Sequence, residues 1–281
     1  MRVLVTGSSG KMGGVVTRLL RAQHQVLGTD HAGGAETDVI ADIRDDGALA
    51  RCMVDQDAVV HLAALHAPHR DLGSTDAEFV AINVEATERL LRLARAAGVR
   101  RFVLASTTSV YGDALVDAQR AVWVTESLKP QPRDIYDETK LAAEALCAEE
   151  FSADFVTTAL RISRCFEEPA REMALYRLYR GVAASDVAQG FAMALRAGLK
   201  QFEVFNISAA TPFQLGDCAQ LKSDAGMVLK ARVPGIEKDF VARNWVLPQT
   251  IDRVYVVAKA QAMLGYHPGE NYCEFMDSRN K

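Results

Sequence analysis

The 281-residue sequence predicts an α/β fold, in which helices cover both faces of a mostly parallel sheet. Two observations support this fold class. Short apolar runs alternate with longer segments of helical periodicity, and a glycine-rich turn joins the first run to the first helical segment. Strands that alternate with helices form βαβ units, whose crossover helices keep the strands parallel.

The predicted elements follow one another regularly over residues 1–162. Apolar runs predict strands at 2–6, 24–29, 58–62, 101–106 and 155–162. Helical spacing predicts one helix with Val15, Val16, Leu19 and Leu20 on a single face, and further helices at 45–54, 75–97 and 136–150. Gly98 is expected to cap the helix at 75–97, and the stretch 112–135 is expected to be a loop over the sheet edge.

The second half of the chain predicts a return to the sheet and a small lobe. A helix at about 185–197 and a strand at 202–207 can join the main fold. We therefore assign residues 1–162, together with 185–208, to a cofactor-binding domain. Residues 163–184 and 209–281 are assigned to a small C-terminal substrate lobe, which could close over the crevice at the carboxyl ends of the strands.

Composition and charge exclude several kinds of partner. The net charge of −4 gives no reason to expect nucleic acid or an anionic membrane. No apolar run approaches the ~20 residues that span a bilayer, and the chain opens directly on a predicted strand, so we expect a cytoplasmic protein. Because no cysteine pair has metal-ligand spacing, we expect free thiols and no metal site; the cysteines are Cys52, Cys147, Cys165, Cys218 and Cys273.

The turn after the first strand carries glycines at three-residue spacing. Gly7 permits the tight turn, Gly10 lets the backbone approach a pyrophosphate, and Gly13 lets helix and strand pack closely. Free amides at the helix N-terminus would bind the phosphates. The motif therefore predicts a Rossmann-type, doubly wound sheet that binds a dinucleotide. The other loop residues expected to contact the cofactor are Ser9, Lys11 and Met12.

Asp30 ends the second predicted strand, where a carboxylate would accept hydrogen bonds from the adenosine ribose hydroxyls. The same carboxylate would repel a 2′-phosphate. The next arginine along the chain is Arg44, so no nearby cation offsets that repulsion. The sequence therefore predicts NAD, rather than NADP, as the cofactor.

Tyr136 and Lys140 stand one helical turn apart on the same face of a predicted helix. A free tyrosine has a pKa near ~10, which is too high for a base at neutral pH, and a nearby cation lowers it. Tyr136 could then take a proton from a substrate hydroxyl as hydride leaves for the cofactor. A hydroxyl from the run at 106–109, at the end of a strand, would hydrogen-bond the reacting oxygen.

Together these motifs resemble the extended short-chain dehydrogenase/reductases, the NAD-dependent epimerase/dehydratase family. The resemblance covers residues 1–165 well and continues more weakly to the end. It implies that Tyr136 is the base, that Lys140 assists it, and that Thr107 is the catalytic hydroxyl. It also implies that an Asp-Ile pair lies near adenine and that a Leu-Ala-Ala strand end lies beside the cofactor. These further cofactor positions are Asp42, Ile43, Leu62, Ala63, Ala64 and Asn83.

The resemblance also has implications for substrate and assembly. His66, Thr108 and Ser109 are expected to contact the substrate. The helices at 75–97 and 136–150 match those that pair into a homodimer interface in this family.

One interval departs from the nucleotide-sugar epimerases and dehydratases, which carry a long nucleotide-gripping segment between a Leu-Arg strand and a later helix. Here only 186 − 161 = 25 positions separate Arg161 from Asp186. This short form is similar to the uronate dehydrogenases, which hold the carboxylate of a free sugar acid with an arginine. Arg171 is the nearest match, with Arg164 and Arg177 as alternatives.

Three functions remain open on the sequence alone. The favoured one is an NAD-dependent dehydrogenase of a small sugar or sugar acid. A nucleotide-sugar epimerase or dehydratase is the second, and a non-enzymatic NAD sensor on the same fold is the third. The short interval is evidence against the second, and a sensor would have no need of the Tyr136 base.

Overall fold

The computed structural model describes residues 1–279, within which seven parallel strands form the main sheet in the order β3-β2-β1-β4-β5-β7-β8. This doubly wound Rossmann arrangement confirms the predicted fold class. The strands of the main sheet are β1 (Arg2–Thr6), β2 (Gln25–Asp30), β3 (Val39–Ile40), β4 (Ala58–His61), β5 (Arg101–Thr107), β7 (Val156–Ile162) and β8 (Glu203–Ile207). Two further short strands, β6 (Val122–Val124) and β9 (Arg253–Tyr255), pair with each other in parallel.

Helices connect the strands and build the C-terminal part of the chain. They are α1 (Lys11–Arg21), α2 (Asp46–Met53), α3 (Pro68–Asp71), α4 (Asp76–Val80), α5 (Ala86–Ala96), α6 (Ile135–Glu149), α7 (Ala170–Tyr179), α8 (Ala184–Ala194), α9 (Cys218–Ser223), α10 (Ala225–Arg232), α11 (Ile236–Val241), α12 (Ala258–Leu264) and α13 (Tyr272–Ser278). None of the helices in residues 1–279 is long and apolar enough to cross a membrane.

The central strands are continuous apolar runs because both faces of the sheet are covered. Along β1, Val3 and Val5 pack on one face with α1, α8 and α12, while Leu4 packs on the other with α2, α5 and α6. All three side chains are fully buried. A separate apolar cluster joins α7, α9, α10, α11, α13 and β9.

The structure corrects two of the predicted elements. The expected helix at 75–97 is interrupted by a π-helical turn, Ala81–Glu85, between α4 and α5. The expected loop at 112–135 contains β6, and a 3-10 segment, Thr108–Leu115, precedes it. Gly98 follows α5 with φ of +75°, so its predicted capping position is confirmed.

Candidate active site

The glycine loop is fixed by contacts that only glycine permits. Gly7 has φ of +78°, its amide donates to the Thr29 carbonyl at 2.9 Å, and a Cβ there would lie 2.6 Å from the Ala63 nitrogen. A Cβ on Gly13 would lie 1.8 Å from the Gly7 oxygen. Gly10 is less crowded, since its nearest such neighbour is the Gly7 oxygen at 3.2 Å. The loop can therefore present bare backbone to a ligand at Gly10.

The N-terminus of α1 is suited to an anion. No side chain caps it, and its first turn contains no acidic residue. The backbone amides of Lys11 and Met12, like the first amides of any helix, have no intrahelical acceptor, and the helix dipole favours negative charge there. This uncapped terminus beside Gly10 fits the pyrophosphate of a dinucleotide.

Asp30 lies against the same loop. Its carboxylate accepts hydrogen bonds from the backbone amides of Ser9, at 3.0 Å, and Ala32, at 3.3 Å. Burial would raise the pKa of Asp30, but the hydrogen bonds from Ser9 and Ala32 and the neighbouring His31 bring its pKa below the ordinary value. Asp30 is therefore anionic at neutral pH, next to the loop where the ribose is expected.

The predicted adenine pair lies after β3. The Asp42 carboxylate is held bidentately by Arg44, at 2.9 Å and 2.6 Å, and this ion pair lowers the pKa of Asp42 to about 2. Arg44 thus neutralises the aspartate nearest the expected adenine. Ile43 is partly buried against the apolar cluster that contains Leu4.

The end of β4 forms a wall directly beside the glycine loop. Leu62, Ala63 and Ala64 are partly exposed there, and the Ala63 amide donates to the Thr6 hydroxyl at 3.3 Å. Asn83, in the π-helical turn, exchanges two hydrogen bonds with the Leu65 backbone, at 2.8 Å and 2.9 Å. Its amide also donates to the Thr139 hydroxyl of α6 at 3.1 Å, so Asn83 ties this wall to the catalytic helix.

Thr107, Tyr136 and Lys140 meet where β5 ends against the start of α6. Thr107 Oγ1 accepts the Ser109 amide at 3.1 Å, and Thr107 is one of the groups that lower the pKa of Tyr136. Lys140 lies one helical turn after Tyr136 and is buried. The structure therefore brings together the three residues that the sequence singles out for proton transfer.

The pKa of Tyr136 differs from the one that the sequence predicts. Burial raises the pKa of Tyr136 above its usual range, and the lowering effect of Thr107 offsets this only in part. Burial also lowers the pKa of Lys140 to about 8, against the opposing effect of Glu144. In the protein alone, burial therefore dominates the pKa of Tyr136, in contrast to the lowering that the sequence predicts.

A buried ion pair behind Lys140 was not identified from the sequence. Arg161 donates to both Glu144 oxygens, at 2.9 Å and 2.6 Å, and both side chains are 6% exposed. The Ser106 hydroxyl also donates to Glu144, at 2.5 Å. The available signal was a carboxylate four positions after Lys140, on the same face of the helix.

The predicted substrate residues fall into two groups. Thr108 and Ser109 directly follow Thr107, and Thr108 donates to the Ile162 carbonyl at 3.4 Å. His66 follows the wall at β4, and its ring stacks on Phe166 with centroids 6.0 Å apart.

Arg171 lies apart from these residues, on α7. Its guanidinium donates to the Val246 carbonyl at 3.0 Å and 2.7 Å and to Glu172 at 2.8 Å. A substrate carboxylate would have to replace those partners. Of the two alternatives, Arg164 pairs with Glu168, and Arg177 donates to the Glu270 and Met173 carbonyls. Within residues 1–279, no cluster of three metal-ligating side chains occurs.

Comparison with known proteins gives a consistent family. Residues 3–167 match the model of the NAD dependent epimerase/dehydratase family. The chain is 27% identical to the 3 beta-hydroxysteroid dehydrogenase/Delta 5→4-isomerase of Mycobacterium tuberculosis, over 95% of this chain and 86% of that protein. It is 32% identical to the L-arabinose 1-dehydrogenase (NAD(P)(+)) of Haloferax volcanii, over 52% of this chain and 59% of that protein.

A solved structure has the same fold at low identity. The UDP-glucuronic acid 4-epimerase of Bacillus cereus, in complex with UDP-glucuronic acid and NAD, aligns with a TM-score of 0.69. The alignment covers 99% of this chain and 97% of that chain at 21% identity, so it supports the shared fold.

Proposed function

Because the chain belongs to the NAD-dependent epimerase/dehydratase family, whose cofactor is NAD, we propose that it is a dehydrogenase of a small free sugar or sugar acid. The observation that carries this proposal is the Thr107–Tyr136–Lys140 group, which lies at the end of β5 and the start of α6. The glycine loop follows β1 of the same sheet. Such an arrangement suits removal of a proton from an alcohol beside a hydride acceptor.

The residues divide the proton chemistry as follows. Tyr136 takes the hydroxyl proton of the substrate on its phenolic oxygen, and Thr107 donates a hydrogen bond to the reacting oxygen. The Lys140 ammonium stabilises the phenolate form of Tyr136. When bound, oxidised NAD supplies the hydride acceptor and a positive ring that favours the phenolate. This extra charge is needed because burial raises the pKa of Tyr136 in the protein alone.

The small-substrate proposal is supported by the short connection between β7 and α8. Only α7 and its flanking turns occupy the stretch between Ile162 and Ala184. The similarity to an L-arabinose dehydrogenase supports oxidation of an unactivated sugar. Because the Arg171 guanidinium is already bound to Val246 and Glu172, we favour an uncharged sugar over a sugar acid.

A nucleotide-sugar epimerase is the second candidate. It is favoured by the alignment with an epimerase that holds UDP-glucuronic acid, which extends over 97% of that chain. Epimerases return the hydride to the same substrate and therefore give no net NADH.

We expect NADH to accumulate when the protein and NAD are mixed with a free aldose. A panel of L-arabinose, other aldoses, glucuronate, galacturonate, a 3β-hydroxysteroid and UDP-glucose would be followed by NADH absorbance. Tyr136→Phe is the control for contaminating activity. NADH from the steroid alone would overturn the sugar proposal. Conversion of UDP-glucose without net NADH would establish the epimerase instead.

Cofactor preference gives an independent prediction. Since Asp30 is anionic beside the loop, we expect calorimetric titration to give a Kd for NADP at least about tenfold higher than that for NAD. Asp30→Ala should weaken NAD binding and reduce the difference between the two Kd values, whereas Asp154→Asn, at an exposed position just before β7, should change neither. Equal binding of both cofactors by the unaltered protein would contradict the role of Asp30.

A further inference from the structure

Two aromatic rings from different loops meet beside the candidate active site. The His66 imidazole stacks on the Phe166 ring, with centroids 6.0 Å apart and ring planes inclined by 20°. Phe166 is 48% exposed, so much of its surface can contact a ligand. An aromatic ring presents a large apolar surface, which makes the His66–Phe166 pair a candidate for substrate contact.

The strand order places this contact across the end of β5. His66 lies a few residues after β4 ends at His61, and Phe166 lies a few residues after β7 ends at Ile162. In the sheet, β5 lies between β4 and β7. Since neighbouring strands are about 4.8 Å apart, β4 and β7 are separated by roughly 10 Å. The two facing side chains therefore bridge that distance over the carboxyl end of β5, where Thr107 lies.

The His66 side of the pair is carried by an anchored loop. The backbone of Leu65, the preceding residue, exchanges hydrogen bonds of 2.8 Å and 2.9 Å with the Asn83 side chain. Asn83 in turn donates to Thr139 of the catalytic helix α6 at 3.1 Å. The His69 ring packs edge-on against His66, with centroids 4.3 Å apart. The position of the imidazole is thus tied to the helix that carries the proposed base.

The Phe166 side is fixed through Arg164. The Arg164 amide donates to the Arg180 carbonyl at 3.1 Å, and the Arg164 carbonyl accepts the Val182 amide at 3.0 Å. The Arg164 guanidinium lies over the Phe166 ring, 5.7 Å from its centroid, and donates to Glu168 at 2.6 Å. This cation–π contact and the fixed backbone before it hold Phe166 toward His66.

We propose that the His66–Phe166 pair covers the reacting atoms at the end of β5, excludes water from the nicotinamide, and contacts the ring of the substrate. The inference rests on the proposed function, which places hydride transfer beneath the pair. Substrate must part the two rings to reach Tyr136, and the rings then close on it. Exclusion of water strengthens the electrostatic interactions that stabilise the Tyr136 phenolate.

The uncharged character of the pair favours a sugar over a sugar acid. Burial and the neighbouring His69 lower the pKa of His66, so its imidazole is neutral at neutral pH. The face of an aromatic ring is weakly negative, so it attracts the C–H bonds of a sugar ring and repels a carboxylate. The pair therefore complements an uncharged aldose ring that lies flat against Phe166.

The covering role is tested without substrate, by the quenching of bound NADH fluorescence with acrylamide. Acrylamide is a neutral quencher that reaches the nicotinamide only where solvent does. We expect His66→Ala and Phe166→Ala each to raise the quenching constant at least about twofold, because each opens the cover. Phe166→Tyr, which keeps the ring, and Leu72→Ala, 82% exposed after α3, should leave it unchanged. Unchanged quenching in both alanine variants would overturn the cover.

A double variant tests whether the two rings act together. If the cover depends on their contact, His66→Ala/Phe166→Ala should show the same quenching constant as either single variant. Separate, additive increases would mean that each ring shields the nicotinamide on its own, and would contradict the pair.

The contact with substrate is tested by steady-state rates on the aldose that the panel identifies. Phe166→Ala should raise KM about tenfold with NAD affinity unchanged, since it removes the surface against which the sugar ring lies. Phe166→Tyr should restore most of this loss, and Glu167→Gln, at the exposed neighbouring position, is the control. An unchanged KM in Phe166→Ala would overturn the substrate contact.

The two proposals can fail separately. The quenching experiment requires only bound NADH, so a panel without NADH formation would refute the dehydrogenase and leave the covering role standing. Calorimetric NAD binding by each variant establishes that it is folded.

Discussion

Tyr136→Phe is expected to lower turnover by about a thousandfold while leaving NAD affinity nearly unchanged. The substitution removes only the phenolic oxygen that accepts the substrate proton. The features expected to hold NAD, which are the glycine loop, the uncapped N-terminus of α1 and Asp30, lie outside this change. Steady-state rates on the identified substrate and calorimetric titration with NAD measure the two effects separately.

Lys140→Met provides the contrast, because Lys140 is expected to contact the nicotinamide ribose as well as stabilise the phenolate. It should weaken NAD binding and lower turnover together. A control for the loss of a phenolic hydroxyl elsewhere is Tyr179→Phe, in α7. Wild-type turnover in Tyr136→Phe would contradict the role of Tyr136 as the base, whatever the substrate.

The sheet could be predicted because its signals are local. Buried parallel strands such as β1 and β4 are apolar along their whole length, and each is bounded by a turn within a few residues. β3 was not predicted because a strand of two residues is too short to show a hydrophobic period. β6 was not predicted because its partner, β9, lies about 130 positions away in the chain. Pairing over that distance cannot be read from the local sequence pattern.

In the candidate site, too, the sequence predicted the residues that stand in short local motifs and missed the contacts between distant elements. The sequence pointed to Gly7, Tyr136 and Lys140 because each stands in a short motif with a fixed spacing. It could not reveal that Asn83 has its hydrogen bonds with Leu65 and Thr139, since these partners come from other elements. The direct contacts of all these residues with cofactor or substrate, like the homodimer, stay predictions.

Arg171 illustrates why the substrate is the hardest inference. The resemblance to the uronate dehydrogenases pointed to Arg171, and a guanidinium suits a carboxylate by its residue type. Its observed acceptor, the Val246 carbonyl, is 75 positions away in the chain. Such a contact depends on how the short helices around α7 pack, which no sequence period encodes.

Glu144→Leu is expected to destabilise the protein by about 3–5 kcal/mol, because it leaves the buried Arg161 guanidinium without its counter-charge. The change in the free energy of unfolding would be measured by urea unfolding, with an unchanged m-value as the check that only stability has changed. Glu149→Leu, on the exposed part of the same helix, is the matched control and should change stability by less than about 1 kcal/mol.

The double variant Glu144→Leu/Arg161→Met distinguishes a buried charge from a packing defect. If the loss in Glu144→Leu comes from an unpaired cation, removing that cation should recover at least half of it. Additive losses would instead mean that the two side chains act through packing. Glu144 also opposes the effect of burial on Lys140, whose pKa is about 8. Its removal should therefore lower the pKa of Lys140 further, so that NAD affinity in Glu144→Leu weakens at a lower pH than in the unaltered protein.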